Sequence, residues 1–465
     1  MTGLLLRSVE LAGRQVRDVR LAGGRIAEVG ALARFPGEPA WDCRGAALLP
    51  GLCDHHLHLH ALAAADRSVS CGPPATVDPA ALGTALADAP ADEHGWVRGI
   101  GYVESVAGEL DAGALDRLHA GRPVRIQHRG GALWMLNGAA LRHLGLAGGE
   151  HPGIERARDG TPTGRLWRAD DWLRGRLPAS RPPDLAGVGR RLAALGITAV
   201  TDATPDLAPE AIDAITEAHR SGALPQRPQL LGAPPGHPAA GPSKIVLADS
   251  GLPDLDALTE RIRATHLAGR PVAAHCVTQE ALVLLLAALD DAGSMPGDRI
   301  EHAALVPEGL LPALAASGLR VVTQPGFLAD RGDDYLRDVP AEQHGDLYRC
   351  RSLLDAGVPL ALSSDGPYGP LDPWAVIAAA VHRRTGSGAV VAPAERLTPV
   401  RALHGYLSTP GHPGGPARRI TVGAAADLVL LHTPLAEILR APRADAVRAV
   451  LIAGRPVTRM ASVDG

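Results

Sequence analysis

Lysine is almost missing from this 465-residue chain: Lys244 is the only one, and the other basic residues are all arginine. Asparagine is as scarce, with Asn137 alone, while Ala, Gly and Pro are abundant. This is the imprint of a GC-biased genome, in which arginine replaces lysine wherever only charge matters. On composition alone Lys244 is either a remnant of that drift or a position that arginine cannot fill. A positive excess is missing too. Acidic residues (50) outnumber basic ones (46), so the chain lacks the basic footprint expected of a nucleic-acid or anionic-membrane binder. No apolar run reaches the roughly 18 residues of a membrane span, and the opening MTGLLLRSVELAGR has too short an apolar stretch for a secretion signal. The cysteines, Cys43, Cys53, Cys71, Cys276 and Cys350, are odd in number and form no CxxC, which argues against a disulfide framework and a zinc ribbon. A cytoplasmic protein is expected. Hydrophobic residues at 46% and charged residues at 21% describe an ordinary globular chain, long enough for two or three domains or one large barrel with additions.

The first 50 residues read as short strands. "RDVRLAGGRIAEVG" is two alternating runs joined at Ala22-Gly23-Gly24-Arg25, a hairpin signal. The C-terminus, from 416 to 465, is similar, with "ADLVLLH" and "AVRAVLIAGRPV". Neither end has enough strands to bury a face by itself, so the two are expected to pair into one composite β-sandwich. Between them, short apolar strands alternate with amphipathic helices. Strands are expected at 50–59, 197–203, 228–233, 243–249, 271–276, 299–303, 320–325 and 359–365. Eight such units imply an α/β fold, a (β/α)8 TIM barrel with its chemistry at the C-terminal strand ends. Residues 51–72 supply the first strand and 190–415 the remainder of the barrel. The stretch 73–189, with four of the six tryptophans, is expected to be an inserted subdomain over the barrel mouth.

The strongest local signal is Asp54-His55-His56-Leu57-His58. Residues two apart on a strand share a side, so His56 and His58 converge into a metal half-site. His60 has the same parity but lies roughly 13 Å from His56 at about 3.3 Å per residue, too far for the same ion. His275, His302 and Asp365 each close a later strand, and Lys244 sits on an intervening one. Each is ordinary alone; together they mark one metal-competent end of the barrel.

At these residues the chain resembles the amidohydrolase superfamily, in particular its branch of large YtcJ-like hydrolases. "LLPGLCDHHLHL", "LAALGITAVTDA", "SKIVLAD", "IEHA", "LSSDGPYGPLDPW" and "ITVGAAADLVLL" are similar to that family's motifs over nearly the whole length. The resemblance implies two divalent metal ions, usually zinc. His56, His58 and Asp365 would hold one ion and His275 and His302 the other, with Lys244, carboxylated by carbon dioxide, bridging both. A carbamate forms only on a neutral amine, a state open to a desolvated lysine and closed to arginine. The implied reaction is hydrolysis of a C–N, amide-type bond of a small molecule by a metal-bridging hydroxide, with Asp365 as general base and then acid.

The chain also departs from that branch. "ADSGLPDL" replaces a long glycine-rich loop, His275-Cys276-Val277-Thr278-Gln279 lacks the usual aspartate, and Ala132 stands where a histidine is common. His128, Arg129, Trp134 and Asn137 of the insert, with Tyr368 after Asp365, are candidate substrate contacts; an arginine there could clamp a carboxylate. Cys53, Cys71 and Cys276 are alternative bridging ligands. The competing readings are a mononuclear-metal deaminase of a heterocycle and a non-catalytic homologue serving assembly. A small-molecule substrate is the expected partner, with neither nucleic acid nor membrane, and a homo-oligomer is left open.

Overall fold

The computed structural model describes residues 3–146, 151–178, 184–248 and 251–458. Asp249 and Ser250, where the 243–249 strand was expected to end, lie outside the described residues. The chain divides into two compact units, Met1–Leu59 with Leu185–Gly465, and His60–Asp184.

In the first unit the two chain ends share one eight-stranded sheet. The N-terminal part supplies Leu4–Leu11, Gln15–Ala22, Arg25–Gly30, Ala40–Asp42 and Ala47–Pro50, and the hairpin turns between Ala22 and Arg25. The C-terminal part supplies Leu428–Leu431, Val447–Ile452 and Arg455–Pro456. The seam is antiparallel, with Leu48 opposite Leu430 and Leu49 opposite Val429. One apolar core holds it, in which Leu6, Val19, Ile26 and Leu48 from one end meet Leu428, Leu430 and Leu451 from the other. Each fully buried leucine contributes about 1.5–3 kcal/mol, and this shared core draws such residues from both ends of the chain.

The same unit carries eight parallel strands: β1 (Leu52–Leu57), β2 (Ile197–Asp202), β3 (Arg227–Leu230), β4 (Ser243–Val246), β5 (Val272–Cys276), β6 (Arg299–His302), β7 (Arg320–Thr323) and β8 (Leu360–Leu362). They form two ladders, β3-β2-β1 and β4-β5-β6-β7-β8. β1 and β2 are buried along their full length, and with them the polar side chains of Asp54, His55, His56, Thr198, Thr201 and Asp202. Among the described residues no ladder joins β8 to β1, but the backbones touch there. Asp365 N donates to His56 O at 2.8 Å, and His58 N to Gly366 O at 2.9 Å.

Amphipathic helices follow the strands. After β5, Thr278 caps Gln279–Ala292 by accepting from Ala281 N, and Gly293 ends it at φ +81°. Ala281, Leu282, Leu285, Ala288 and Leu289, at i, i+1, i+4, i+7 and i+8, form its buried stripe. No helix of the described residues is long and apolar enough to cross a membrane.

The second unit has a six-stranded sheet of its own, in the order Ile154–Arg156, Pro162–Trp167, Leu133–Leu136, Val124–His128, Val97–Tyr102, Val69–Ser70. It contains two apolar cores, one around Tyr102, Ile126 and Met135 and the other around Trp96, Trp134 and Leu166.

Candidate metal centre

The end of β1 turns His56 and His58 to one side, and three other strands bring side chains to meet them. The register places His275 of β5 beside Glu301 of β6, and Cys276 beside His302. Ring centroids are 4.4 Å apart for His275 and His302, 4.8 Å for His56 and His302, and 5.5 Å for His56 and His58. Asp365, just beyond β8, completes the group. Its Oδ1 stands 3.5 Å from His56 Nε2 and 3.3 Å from His58 Nε2, and its Oδ2 lies 4.0 Å from His302 Nδ1. One ligand atom each from His56, His302 and Asp365 falls within a 4.8 Å set.

The backbone is bent to make this meeting. His302, Ala303 and Asp365 have φ of +75°, +48° and +55°. Left-handed geometry at such residues costs on the order of 1–3 kcal/mol each and persists where the surroundings impose it. The loop after β8 is pinned by Gly369, where a Cβ would lie 2.4 Å from Ser364 O.

Burial sets the charge states. It holds the imidazoles of His56 and His302 well below the ordinary histidine value, with neighbouring Lys244 and other histidines adding to the effect. Neutral imidazole is the metal-binding form. Lys244 is 6% exposed, and burial lowers the pKa of its amine, against the pull of Glu301 and Asp365. Asp365 Oδ1 is buried with no hydrogen-bond partner. An unpaired buried carboxylate oxygen flanked by two imidazole nitrogens is costly unless a cation sits among them, so the donor set suits a borderline metal such as zinc.

Several supporting residues went unread in the sequence. Glu301 hydrogen-bonds His56 Nδ1 through Oε2 and accepts from Arg299 Nε at 2.5 Å through Oε1, with all three side chains buried. His302 Nδ1 meets Gln324 Oε1 at 2.9 Å, and His58 Nδ1 meets Thr204 Oγ1 at 2.9 Å. Asp54 Oδ1 accepts from the backbone N of His56 and of Ser364, both at 3.2 Å, and burial lifts its carboxyl to about 7. The signal for Glu301 was its place immediately before His302, but a strand residue adjacent to a ligand is expected to face away. The turned backbone at His302 removes that rule. Cys53 Sγ lies 3.6 Å from His55 Nδ1, and Cys276 Sγ is 3.8 Å from Ala281 O.

Of the candidate substrate contacts, Tyr368 packs its ring edge-on to His58 at 5.4 Å. The other four belong to the second unit. Asn137 is fully buried and caps Gly138–Leu144: its Oδ1 accepts from Ala140 N and Val124 N, and its Nδ2 donates to His119 O and Arg122 O. Trp134 Nε1 donates to Asp170 at 2.8 Å, and the guanidiniums of Arg98 and Arg125 lie 5.3 and 5.4 Å from its ring. His128 Nε2 lies 3.2 Å from Glu104, and Arg129 N donates to Tyr102 O. Asn137 and Trp134 therefore have their polar groups engaged within their own unit.

Parallel strands ending in converging imidazoles and a carboxylate define a metal-dependent hydrolase. The chain belongs to the amidohydrolase family, whose model matches residues 40–458. It is 26% identical to an N-substituted formamide deformylase of Arthrobacter pascens, over 92% of each chain. In structure it is similar to an uncharacterized metal-dependent hydrolase of Pyrococcus horikoshii, with TM-score 0.70, 19% identity, and 93% of this chain and 97% of that one covered. It also resembles the N-isopropylammelide isopropylaminohydrolase of Burkholderia multivorans, with TM-score 0.56, 19% identity and 99% of both chains covered.

Proposed function

We propose that the protein hydrolyses the C–N bond of a small amide, with N-substituted formamides the first class to test. The observation that carries this reading is the buried Asp365 Oδ1 with no hydrogen-bond partner, 3.5 and 3.3 Å from two imidazole nitrogens. The formamide class rests on the Arthrobacter relative. We read the eight parallel strands as a closed (β/α)8 barrel, the terminal sheet as a composite β-sandwich, and the cytoplasm as the setting, which suits five free, buried cysteines.

In this reading His56, His58, His275, His302, Asp365 and a carboxylated Lys244 would hold two divalent ions, zinc the first to test. When bound, such ions polarise a carbonyl and make water a nucleophile at neutral pH. The chain's own residues do the rest. Glu301 and Gln324 fix the ring orientation of His56 and His302 through Nδ1. Asp365 takes the proton of the attacking water and delivers it to the leaving nitrogen, which departs as a neutral amine. Burial lowers the pKa of the Lys244 amine and so favours the neutral form that accepts carbon dioxide, with loss of one proton as the carbamate forms.

The test is a metal count together with product analysis. Purified, metal-loaded protein should carry close to two ions per chain and release formate and an amine from N-substituted formamides. N-acyl amino acids, hydantoins and aminated heterocycles serve as alternatives. One ion per chain with ammonia released from a heterocycle would replace this reading by the mononuclear deaminase. Absence of turnover on every class at full metal loading would favour a non-catalytic homologue.

A further inference from the structure

Away from the histidine cluster, a cavity of about 440 Å³ opens where the parallel strands begin. Pro242, Pro271 and Gly297, in its wall, immediately or closely precede β4, β5 and β6. Its lining includes Arg270, Arg299, Gln229 and His237, and no Asp or Glu. Asp298 is close in sequence, but its carboxylate is fully buried and engaged by Val272 N at 2.8 Å, Met295 N at 2.7 Å and His266 Nε2 at 3.0 Å.

Arg270 lacks an anionic partner among the described residues, and Arg299, though paired with Glu301, keeps one buried N–H group unmet. Arg270 donates only to the carbonyls of Gly241, Leu231 and Pro242, at 2.7, 2.9 and 3.3 Å, among the described residues. Arg299 is 1% exposed. It gives Nε to Glu301 and Nη2 to His55 O at 3.5 Å, and its Nη1 has no hydrogen-bond partner. Glu301 also serves His56, so one carboxylate is divided between two groups. A buried guanidinium N–H without an acceptor costs about 1–3 kcal/mol, and a charged acceptor is its strongest remedy.

We propose that this cavity is an anion site, taking a small oxyanion (a carboxylate or a phosphate) held by Arg299 and Arg270. The Arg299 guanidinium that would bind the anion also holds Glu301, and Glu301 holds His56. Occupancy at this end is thereby linked to the histidine cluster, and the linkage acts in both directions.

Gly411 supplies a specific probe. It lines the cavity, and a Cβ there would meet only Gln229 Nε2, at 3.9 Å. Gly411→Asp therefore adds a tethered carboxylate with little steric conflict. Calorimetric titration of the full-length protein with acetate and, separately, inorganic phosphate should show saturable binding, with sodium chloride at matched ionic strength as control. Arg270→Gln and Gly411→Asp should each weaken it by about tenfold or more, equivalent to at least one charge-assisted hydrogen bond. Binding of acetate alone assigns a carboxylate site, of phosphate alone a phosphate site, and of both a general oxyanion site. Should Arg270→Gln fail to fold, Gly411→Asp carries the comparison. No saturable binding of either probe, equal binding of chloride, or wild-type affinity in the folded variants would overturn the proposal.

Discussion

The Nδ1 of His56 is hydrogen-bonded to the carboxylate of Glu301, so its Nε2 is the atom presented to Asp365, 3.5 Å away. The contact joins β1 to β6, strands 245 residues apart in sequence at this point. It selects one tautomer and makes the imidazole a better donor to a cation.

Glu301→Gln keeps the shape and removes the charge. We expect metal affinity to fall by roughly 10–100-fold, the usual size for such a partner. Arg299 would then be left buried and unpaired, a loss that can cost about 3–5 kcal/mol. A Glu301→Gln/Arg299→Gln double variant separates the two effects. It should recover melting temperature relative to Glu301→Gln while metal affinity, measured by chelator competition, stays low. Recovery of both would mean that the pair acts only through the fold.

Asp365→Asn tests proton transfer. The amide keeps an oxygen but cannot carry the proton, and general acid–base groups contribute about 10²–10⁴ in rate. We expect kcat to fall by that range while much of the metal stays, because the histidines are untouched. Near-normal turnover at full metal loading would remove Asp365 from the mechanism.

Strand periodicity made most of this arrangement legible. The eight short apolar segments and the parity of His56 with His58 follow from period-two geometry and from burial on both faces. The seam between Leu48 and Leu430 was expected because few strands could be read at either end, although the N-terminal part in fact supplies five. Glu301 and Arg299 were not legible, since an Arg-x-Glu-His run gives no hint that left-handed backbone at His302 will let both Glu301 and His302 serve one site. The capping role of Asn137 was not legible either. The residue was a candidate for its place in the insert, and its amide makes four hydrogen bonds to backbone, a capping role invisible without knowing that His119, Arg122 and Val124 lie beside it.

That role gives a third expectation. Asn137→Ala loses a helix cap and leaves buried backbone groups unpaired, so stability should drop by about 2–3 kcal/mol. KM should change little at temperatures where the variant is folded. Thermal melts beside steady-state kinetics decide the matter: a large rise in KM with an unchanged melting temperature would return Asn137 to the substrate pocket.

Lys244 offers the most demanding test, because a single charge-preserving substitution should be worse than a truncation. Its amine is buried near His56, His302 and Asp365, and burial favours the neutral form. If that amine carries a carbamate, the side chain ends in a negative charge. Lys244→Arg would put a permanently positive guanidinium in its place, an uncompensated charge that repels cations and cannot be carboxylated. We expect metal content to fall toward zero in this variant. Lys244→Ala should also lose metal, but it leaves space that propionate or another short carboxylate can fill, restoring part of both metal content and turnover. Wild-type protein loaded with metal under ¹³C-labelled carbon dioxide should give a carbamate carbon resonance that Lys244→Ala lacks. Full metal content in Lys244→Arg, with no carbamate resonance in the wild type, would leave Lys244 outside the centre.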